Sequence, residues 1–158
     1  MKKTTSYDPI ILAPNGGPTL SFMEMNLAYK VSGKETNGAW ALLEYSMPPN
    51  FTGPPLHWHK VTHQGFYTLE GRVTFQVGTQ IVTSEAGAFI SVPTHTLHTF
   101  RNDQSQPARI LETIIPSGSE NSFKELVTLI QTEPTLLLKP QNLFEIYKRY
   151  DTFMPKEL

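Results

Sequence analysis

Histidine is the residue type that offers the most chemistry in this 158-residue chain, which contains five histidines and no cysteine. All five lie in one central stretch, as His57, His59, His63, His95 and His98. Imidazole is a common ligand of transition metals and titrates near neutral pH. Without cysteine the chain has no disulfide, no iron–sulfur cluster and no cysteine nucleophile, so any metal must be held by nitrogen and oxygen ligands.

The pair His57 and His59 flanks Trp58 and follows a Gly-Pro-Pro sequence at 53–55, which favours extended backbone. In a strand, alternate side chains share a face, so both imidazoles would lie about 6 to 7 Å apart on one side. Two Nε2 atoms at that separation can converge on one ion about 2.1 Å from each. The alternative is an aromatic-rich strand with two exposed or core histidines.

Short strands separated by Gly and Pro turns are predicted around these histidines. The first is a single half-buried strand from Phe22 to Val31, where apolar and polar residues alternate. Further strands are predicted at 40–47, 66–69, 73–77, 81–83, 88–92, 97–101 and 108–115. Regular short strands of this kind indicate an antiparallel barrel or sandwich.

The chain changes character near residue 116, beyond which an apolar period of three to four residues replaces alternation. One helix is predicted around residues 123–130, with Ser122 and Glu125 spaced as a capping box. A second follows Pro140 and carries Lys148 and Arg149 in its last turn, where the helix dipole favours cations. We expect both helices to pack on the outside of the β body. The predicted division is an N-terminal arm at 1–19, a barrel at 20–116 and a helical extension at 117–158.

The charge balance excludes polyanion binding as a main function, since 13 basic and 14 acidic residues give a net charge of -1. No segment has the roughly 20 apolar residues of a membrane span, and residues 4–9 are too polar for a secretory signal. We therefore expect a cytoplasmic protein that binds neither nucleic acid nor membrane.

Two motifs in this chain resemble those of the cupin superfamily. The first cupin motif reads Gly, five residues, His-x-His, three or four residues, Glu, six residues, Gly. Here His57 and His59 are followed by Gln64 in place of the Glu and then by Gly71, while Gly53 lies one residue closer than the motif asks.

The second cupin motif reads Gly, five residues, Pro-x-Gly, two residues, His, three residues, Asn. It appears here as Gly87, Pro93, His95 in place of the Gly, His98 and Asn102. With its flanking strands and helical tail, the chain resembles the small single-domain cupins described as quercetin-dioxygenase-like.

This resemblance implies a mainly β fold, a single jelly-roll barrel with two short C-terminal helices. It also implies one divalent transition metal, Fe, Mn, Ni, Zn or Cu, held by His57, His59, Gln64 and His98. Gln64 is neutral, so the site lacks the family's anionic ligand and its proton-accepting carboxylate. His63 is the alternative fourth ligand, because it stands at the shorter permitted spacing.

The walls of the site are predicted from strand parity. Phe66, Phe75 and Phe100 alternate in step with the ligands and can line a substrate pocket, although core packing explains each equally well. His95 is expected in a turn of positive φ, either facing solvent or touching substrate at the rim. Glu112 is expected to face solvent rather than the barrel interior. No catalytic residue is assigned.

Three functions remain open at this point. The resemblance favours a metal-dependent dioxygenase acting on a small aromatic or enolic substrate. The alternatives are a non-catalytic small-molecule-binding or sensing cupin and a metal-assisted isomerase. We also expect a homodimer, because exposed antiparallel edges must be covered and small cupins commonly pair across the N-terminal strand.

Overall fold

The computed structural model describes residues 8–135 and 139–155, and nine strands and two helices lie within those ranges. The strands are β1 (Thr19–Phe22), β2 (Met25–Val31), β3 (Ala41–Met47), β4 (His63–Glu70), β5 (Arg72–Val77), β6 (Gln80–Glu85), β7 (Phe89–Val92), β8 (His98–Arg101) and β9 (Ala108–Ile115). The helices are α1 (Asn121–Thr132) and α2 (Pro140–Arg149). The predicted mainly β fold with two C-terminal helices is confirmed.

The strands form two sheets in which every pairing between them is antiparallel. The larger sheet has the order β1-β2-β3-β9-β4-β7, and the smaller has the order β6-β5-β8. Consecutive strands such as β3 and β4 are not neighbours, because β9 lies between them. This arrangement places β4, which begins just after the paired histidines, beside the last strand of the barrel.

Alternation along the strands decides which side chains face the interior. On β3 the fully buried side chains are Ala41, Leu43, Tyr45 and Met47, and on β9 they alternate in the same way from Ala108 to Ile114. The apolar core lies between the two sheets and continues onto α1 through Leu126, which is 0% exposed.

The strand predicted from Phe22 to Val31 is confirmed from Met25 onward, but its first residues are wrong, because a tight turn separates Phe22 from the rest. Met23 and Glu24 both have positive φ, 49° and 67°, and connect the paired residues Phe22 and Met25. Two-residue hairpin loops with positive φ at both positions are of type I′ and usually contain Asn, Asp or Gly. The absence of those residues concealed the turn in the sequence.

The C-terminal extension closes one side of the barrel. Ser122 lies within α1 and its hydroxyl donates to the Ser119 carbonyl, while Glu125 accepts from Tyr150 and Arg149. The predicted capping box is therefore wrong. The two helices pack against the barrel, but they also contribute residues to its internal cavity, which the sequence did not indicate.

None of the helices in the described part of the chain is long and apolar enough to cross a membrane.

Candidate metal centre

The segment that carries the paired histidines is extended and joined to β8. His57 and His98 form an isolated antiparallel bridge through two backbone hydrogen bonds of 3.1 and 2.8 Å. Gly53 permits this approach, since it has φ 83° and a Cβ there would lie 1.8 Å from the carbonyl oxygen of Phe100. The segment that carries the first motif therefore lies directly against β8, which begins at His98 of the second motif.

Three histidines converge inside the barrel. His57, His59 and His98 are 9%, 4% and 1% exposed, and each offers a ring nitrogen within 4.8 Å of the other two. Trp58 points away from the cluster and stacks on Phe153, with 4.7 Å between ring centroids. The alternation predicted for this segment therefore places both of its histidines on the side of His98.

Backbone carbonyls fix the tautomer of each ring. Nδ1 of His57 lies 2.7 Å from the carbonyl oxygen of Pro55, Nδ1 of His59 lies 2.7 Å from that of Asp151, and Nδ1 of His98 lies 2.8 Å from that of Thr96. A carbonyl oxygen only accepts, so each neutral ring carries its proton on Nδ1 and leaves Nε2 with a lone pair. Three Nε2 lone pairs in one buried cluster form a set of metal ligands.

Burial keeps these rings neutral. Burial, with a smaller contribution from the neighbouring histidines, lowers the pKa of His98 to about 4 and the pKa of His57 well below its ordinary value. Burial also lowers the pKa of His59, although the Asp151 carbonyl opposes the effect. Since a metal binds the neutral form of imidazole, the ligands are ready at neutral pH.

Gln64 adds an oxygen to the same group. Its side chain is 8% exposed, and Nε2 donates to Oε1 of Glu112 over 2.5 Å, while its own Oε1 has no partner. The Nε2 atoms of His59 and His98 are likewise buried without a partner. A buried group of acceptors that lacks any donor is unfavourable unless a cation or water satisfies it. The residues therefore fit a bound metal ion.

Glu112 faces the interior, so the expectation that it faces solvent is wrong. It is 3% exposed, and its carboxyl group receives hydrogen bonds from Gln64 and from the hydroxyl of Tyr45. Burial raises the pKa of Glu112 to about 7. Apolar residues occupy both faces of β9, so the sequence pattern alone did not distinguish the two orientations.

The cluster opens into a cavity of about 60 Å³. A water molecule needs roughly 10 to 15 Å³ of such space, so the cavity holds on the order of five atoms of that size. Its apolar wall includes Phe22, Met25, Phe66, Phe100, Ile114 and Phe123. Its polar groups outside the histidines are Tyr45, Gln64, Glu112, Ser119, Ser122, Tyr147 and Thr152.

The other residues predicted for the site lie at different depths. Phe66 and Phe100 line the cavity, whereas Phe75 packs behind them, with ring centroids 5.2 and 5.9 Å away. His95 has the expected positive φ, 59°, and stacks on the outer side of Trp58. His63 is exposed at the start of β4, and among the described residues it is not part of the histidine cluster.

Asp151, which no sequence motif indicated, holds the histidine segment from the C-terminal part of the chain. Its carboxylate accepts from the backbone N–H groups of Lys60, Val61 and Thr62, and its carbonyl orients His59. It has φ 57°, which is typical of Asp or Asn just after a helix. The preference of Asp for positive φ was the only sequence signal at this position. It does not indicate that Asp151 contacts residues 60–62 and His59.

Comparisons with known proteins agree with this geometry. Residues 43–114, which include all three clustered histidines, match the family model of the cupin domain. A quercetin 2,3-dioxygenase from Bacillus subtilis (strain 168) is 31% identical over 70 residues, which are 44% of this chain and 20% of that protein. The chain thus spans only a fifth of the length of that relative.

Similar folds occur among solved structures. An RmlC-like cupin from Shewanella frigidimarina NCIMB 400 has a TM-score of 0.60 at 16% identity, covering 70% of this chain and 93% of that one. A predicted oxalate decarboxylase from Thermotoga maritima has a TM-score of 0.56 at 22% identity, covering 63% and 90%. At these identities the likeness concerns the fold, and it confirms the predicted barrel of jelly-roll type.

Proposed function

Because the barrel of this chain is a cupin domain, we propose that the chain is a metal-dependent dioxygenase acting on a small enolic or aromatic substrate. The observation that carries the proposal is the convergence of three unprotonated Nε2 atoms in one buried cluster. The likeness of part of the chain to a quercetin 2,3-dioxygenase supports oxidative chemistry.

One divalent transition metal fits the cluster, with His57, His59 and His98 as ligands and the amide oxygen of Gln64 as the fourth. Imidazole suits Fe, Mn, Ni, Zn and Cu, so the ligand types do not select among them. Such a metal, when bound, polarises a coordinated substrate oxygen and, if redox-active, brings the substrate together with O₂.

The charge of the site favours an anionic substrate oxygen. All four proposed ligands are neutral, so they offset none of the charge of a divalent cation. Glu112 is the one carboxyl group among the described residues that line the cavity, and burial favours its neutral form. No Lys or Arg is found among the described residues that line the cavity. These features favour a substrate that presents an enolate or phenolate oxygen to the metal rather than one recognised by protein cations.

The size of the cavity restricts the substrate further. At about 60 Å³ the space suits a small enolic acid or the reactive part of a catechol. The aromatic wall of Phe66, Phe100 and Phe123 packs against the apolar part of the substrate and excludes water from it.

A small-molecule-binding or sensing protein is the second candidate. The observation in its favour is Gln64, because an amide at this position neither offsets the metal charge nor accepts a proton from substrate. The two candidates share the metal site and differ only in turnover.

Metal content tests the site itself. Protein purified without an affinity tag should contain close to one metal ion per chain, and the His57→Ala/His98→Ala double variant should contain none, as measured by plasma emission spectroscopy. The exposed His63→Ala variant is the comparison and should retain the metal. Equal metal in the parent and the double variant would refute the site, whereas loss from His63→Ala would assign the fourth ligand to His63.

Oxygen consumption separates the enzyme from the binding protein. The metal-loaded chain should consume O₂ with at least one compound from a panel of small enolic acids, catechols and flavonols. Binding of such compounds without O₂ uptake, with each of the five metals loaded in turn, would favour the sensing protein.

A further inference from the structure

We propose that Glu112 is a positioning residue, which holds the side-chain amide of Gln64 with its carbonyl oxygen turned toward the three clustered histidines. This inference rests on the metal site proposed above and is independent of whether the chain is an oxygenase.

The strand register brings the two side chains together. Gln64 on β4 pairs with Ile114 on β9, and Phe66 pairs with Glu112, so Gln64 and Glu112 are diagonal neighbours. Both point into the barrel, where they are 8% and 3% exposed. Diagonal neighbours on adjacent strands lie within reach of long side chains. The 2.5 Å hydrogen bond between them therefore follows from backbone register and strand parity.

The two ends of an amide differ in what they can do at a metal site. The Gln64 carbonyl oxygen can ligate a cation, whereas the NH₂ group can only donate. Oε1 of Glu112 is an acceptor that faces the NH₂ end. The reversed amide would set the Gln64 oxygen against an oxygen of Glu112 and turn the NH₂ group toward the histidines. Glu112 thus selects the end of Gln64 that a metal needs.

Glu112 is itself held in place. The hydroxyl of Tyr45, 2% exposed on β3, donates to Oε2 and leaves Oε1 for Gln64. Three neighbouring strands therefore contribute one polar side chain each to a chain of hydrogen bonds that ends at the cluster. The free oxygen of Gln64 is the last member of that chain, and it is buried without a partner.

A cycle of variants tests this role with Co²⁺ as the probe. The four proteins are the parent, Glu112→Leu, Gln64→Glu and the Gln64→Glu/Glu112→Leu double variant. Dissociation constants come from titration calorimetry, and the visible absorption of Co²⁺ reports its coordination number. Loss of an outer-shell partner typically weakens metal binding about 10- to 100-fold. We expect a loss of that size for Glu112→Leu in the parent.

The result should differ when position 64 is a carboxylate. Both ends of a carboxylate are oxygens, so there is no orientation to select, and removing Glu112 also removes an acidic neighbour that would raise the pKa of the new carboxyl group. We expect Glu112→Leu to leave Co²⁺ affinity unchanged or to increase it in the Gln64→Glu background. An equal loss in both backgrounds, or no loss in the parent, would overturn the role of Glu112.

A matched control distinguishes weaker Co²⁺ binding caused by lost stability from weaker binding caused by the loss of Glu112. Thr68, on the same strand as Gln64, makes a buried hydrogen bond with Ser84, and neither residue lines the cavity. Thr68→Val should lower the free energy of unfolding and leave Co²⁺ affinity unchanged. If it weakened Co²⁺ binding as much as Glu112→Leu does, the effect would be one of stability and the proposal would fail.

A second comparison, between two other variants, tests the proposal if Glu112→Leu does not fold. The Gln64→Glu/Glu112→Gln variant exchanges the two groups and restores a donor facing an acceptor. It should bind Co²⁺ more tightly than Gln64→Glu alone, and equal or weaker binding would overturn the proposal. No Co²⁺ binding by the parent would refute the metal site and this inference together, whereas parent binding without the predicted coupling would refute this inference alone.

Discussion

At the scale of single residues, burial sets the protonation of the site in two opposite ways. It favours the neutral form of each group, so it lowers the pKa of His57 and His98 and raises that of Glu112. Each shift makes the stability of the metal-free protein depend on pH, because the folded and unfolded states bind different numbers of protons.

The sign of each contribution follows from the direction of the shift. The pKa of His98 falls from 6.5 to about 4, so between these values the unfolded state binds more protons and acid destabilises the fold. The pKa of Glu112 rises from 4.5 to about 7, so in that window the folded state binds more protons and rising pH destabilises the fold. Each effect amounts to roughly 3 kcal/mol over its window.

We predict that His98→Asn flattens the loss of stability of the metal-free protein below pH 6.5. The asparagine NH₂ can still donate to the Thr96 carbonyl, so the change removes the titration and retains the hydrogen bond. Glu112→Gln should have the reverse effect and make the stability rise more steeply with pH from 4.5 to 7. Urea unfolding in the presence of a chelator, at half-unit steps of pH, measures both slopes. Identical slopes in all three proteins would contradict the prediction.

At the scale of elements, the histidine segment at 57–59 belongs to no regular strand and depends on two neighbours. β8 holds it through the bridge between His57 and His98, and the C-terminal segment holds it through the bridge between Trp58 and Phe153. Asp151 ties the following loop to the end of α2. The site is thus built from both halves of the chain.

We predict that Asp151→Ala weakens metal binding about 10- to 100-fold, the usual cost of losing an outer-shell partner. The carboxylate that orders residues 60–62 is lost, and alanine is strained at φ 57°. Asp151→Asn should retain most of the affinity, because its amide oxygen still accepts and Asn tolerates positive φ. Titration calorimetry measures the difference.

The comparison variant is Asp103→Ala, which removes an exposed carboxylate paired with Arg101. It should leave metal affinity unchanged and alter stability by no more than about 0.5 kcal/mol. Equal affinity of Asp151→Ala and Asp103→Ala would show that the C-terminal segment does not support the site.

At the scale of the whole molecule, the barrel and the C-terminal helices share one core. Leu126 on α1 is 0% exposed and belongs to the same apolar cluster as the strands. Phe123 makes edge contacts with Phe22 and Tyr45, 5.7 and 6.2 Å between ring centroids. The helices therefore form part of the folding unit and part of the cavity wall.

We predict that Leu126→Ala lowers the free energy of unfolding by about 2 to 5 kcal/mol, the usual cost of truncating a buried leucine. Tryptophan fluorescence, which arises from Trp40 and Trp58 in the β body, and far-ultraviolet circular dichroism at the helix minimum should show one shared, shifted urea transition. Ile130→Ala on the same helix is the control, since Ile130 is 47% exposed and should change stability far less. Separate transitions for the two signals would show that α1 unfolds independently of the barrel.

The homodimer remains a prediction. β1 and β7 are the edges of the larger sheet, and unpaired edges invite association. Sedimentation equilibrium of the unmodified chain should give twice the mass of 17.8 kDa, and a single-chain mass would contradict it.

The sequence alone determined the features that depend on local pattern. Strand alternation placed His57 and His59 on one side of the chain, and helical periodicity located α1 and α2. The turn at Met23 and Glu24 escaped it because neither residue type marks positive φ. The resemblance to the two cupin motifs added His98 to the predicted ligands, and His98 lies in the same buried cluster.

Only the tertiary structure decided what depends on register between distant strands. The pairing of β4 with β9 turned Glu112 inward beside Gln64, and the bridge at Phe153 brought Asp151 beneath His59. These contacts join residues 48 and 92 positions apart, and no local period encodes such a separation. A sequence pattern fixes which face of a strand a side chain occupies, whereas the pairing of distant strands fixes which side chain lies beside it. Here that pairing placed the Glu112 carboxyl group next to the Gln64 amide.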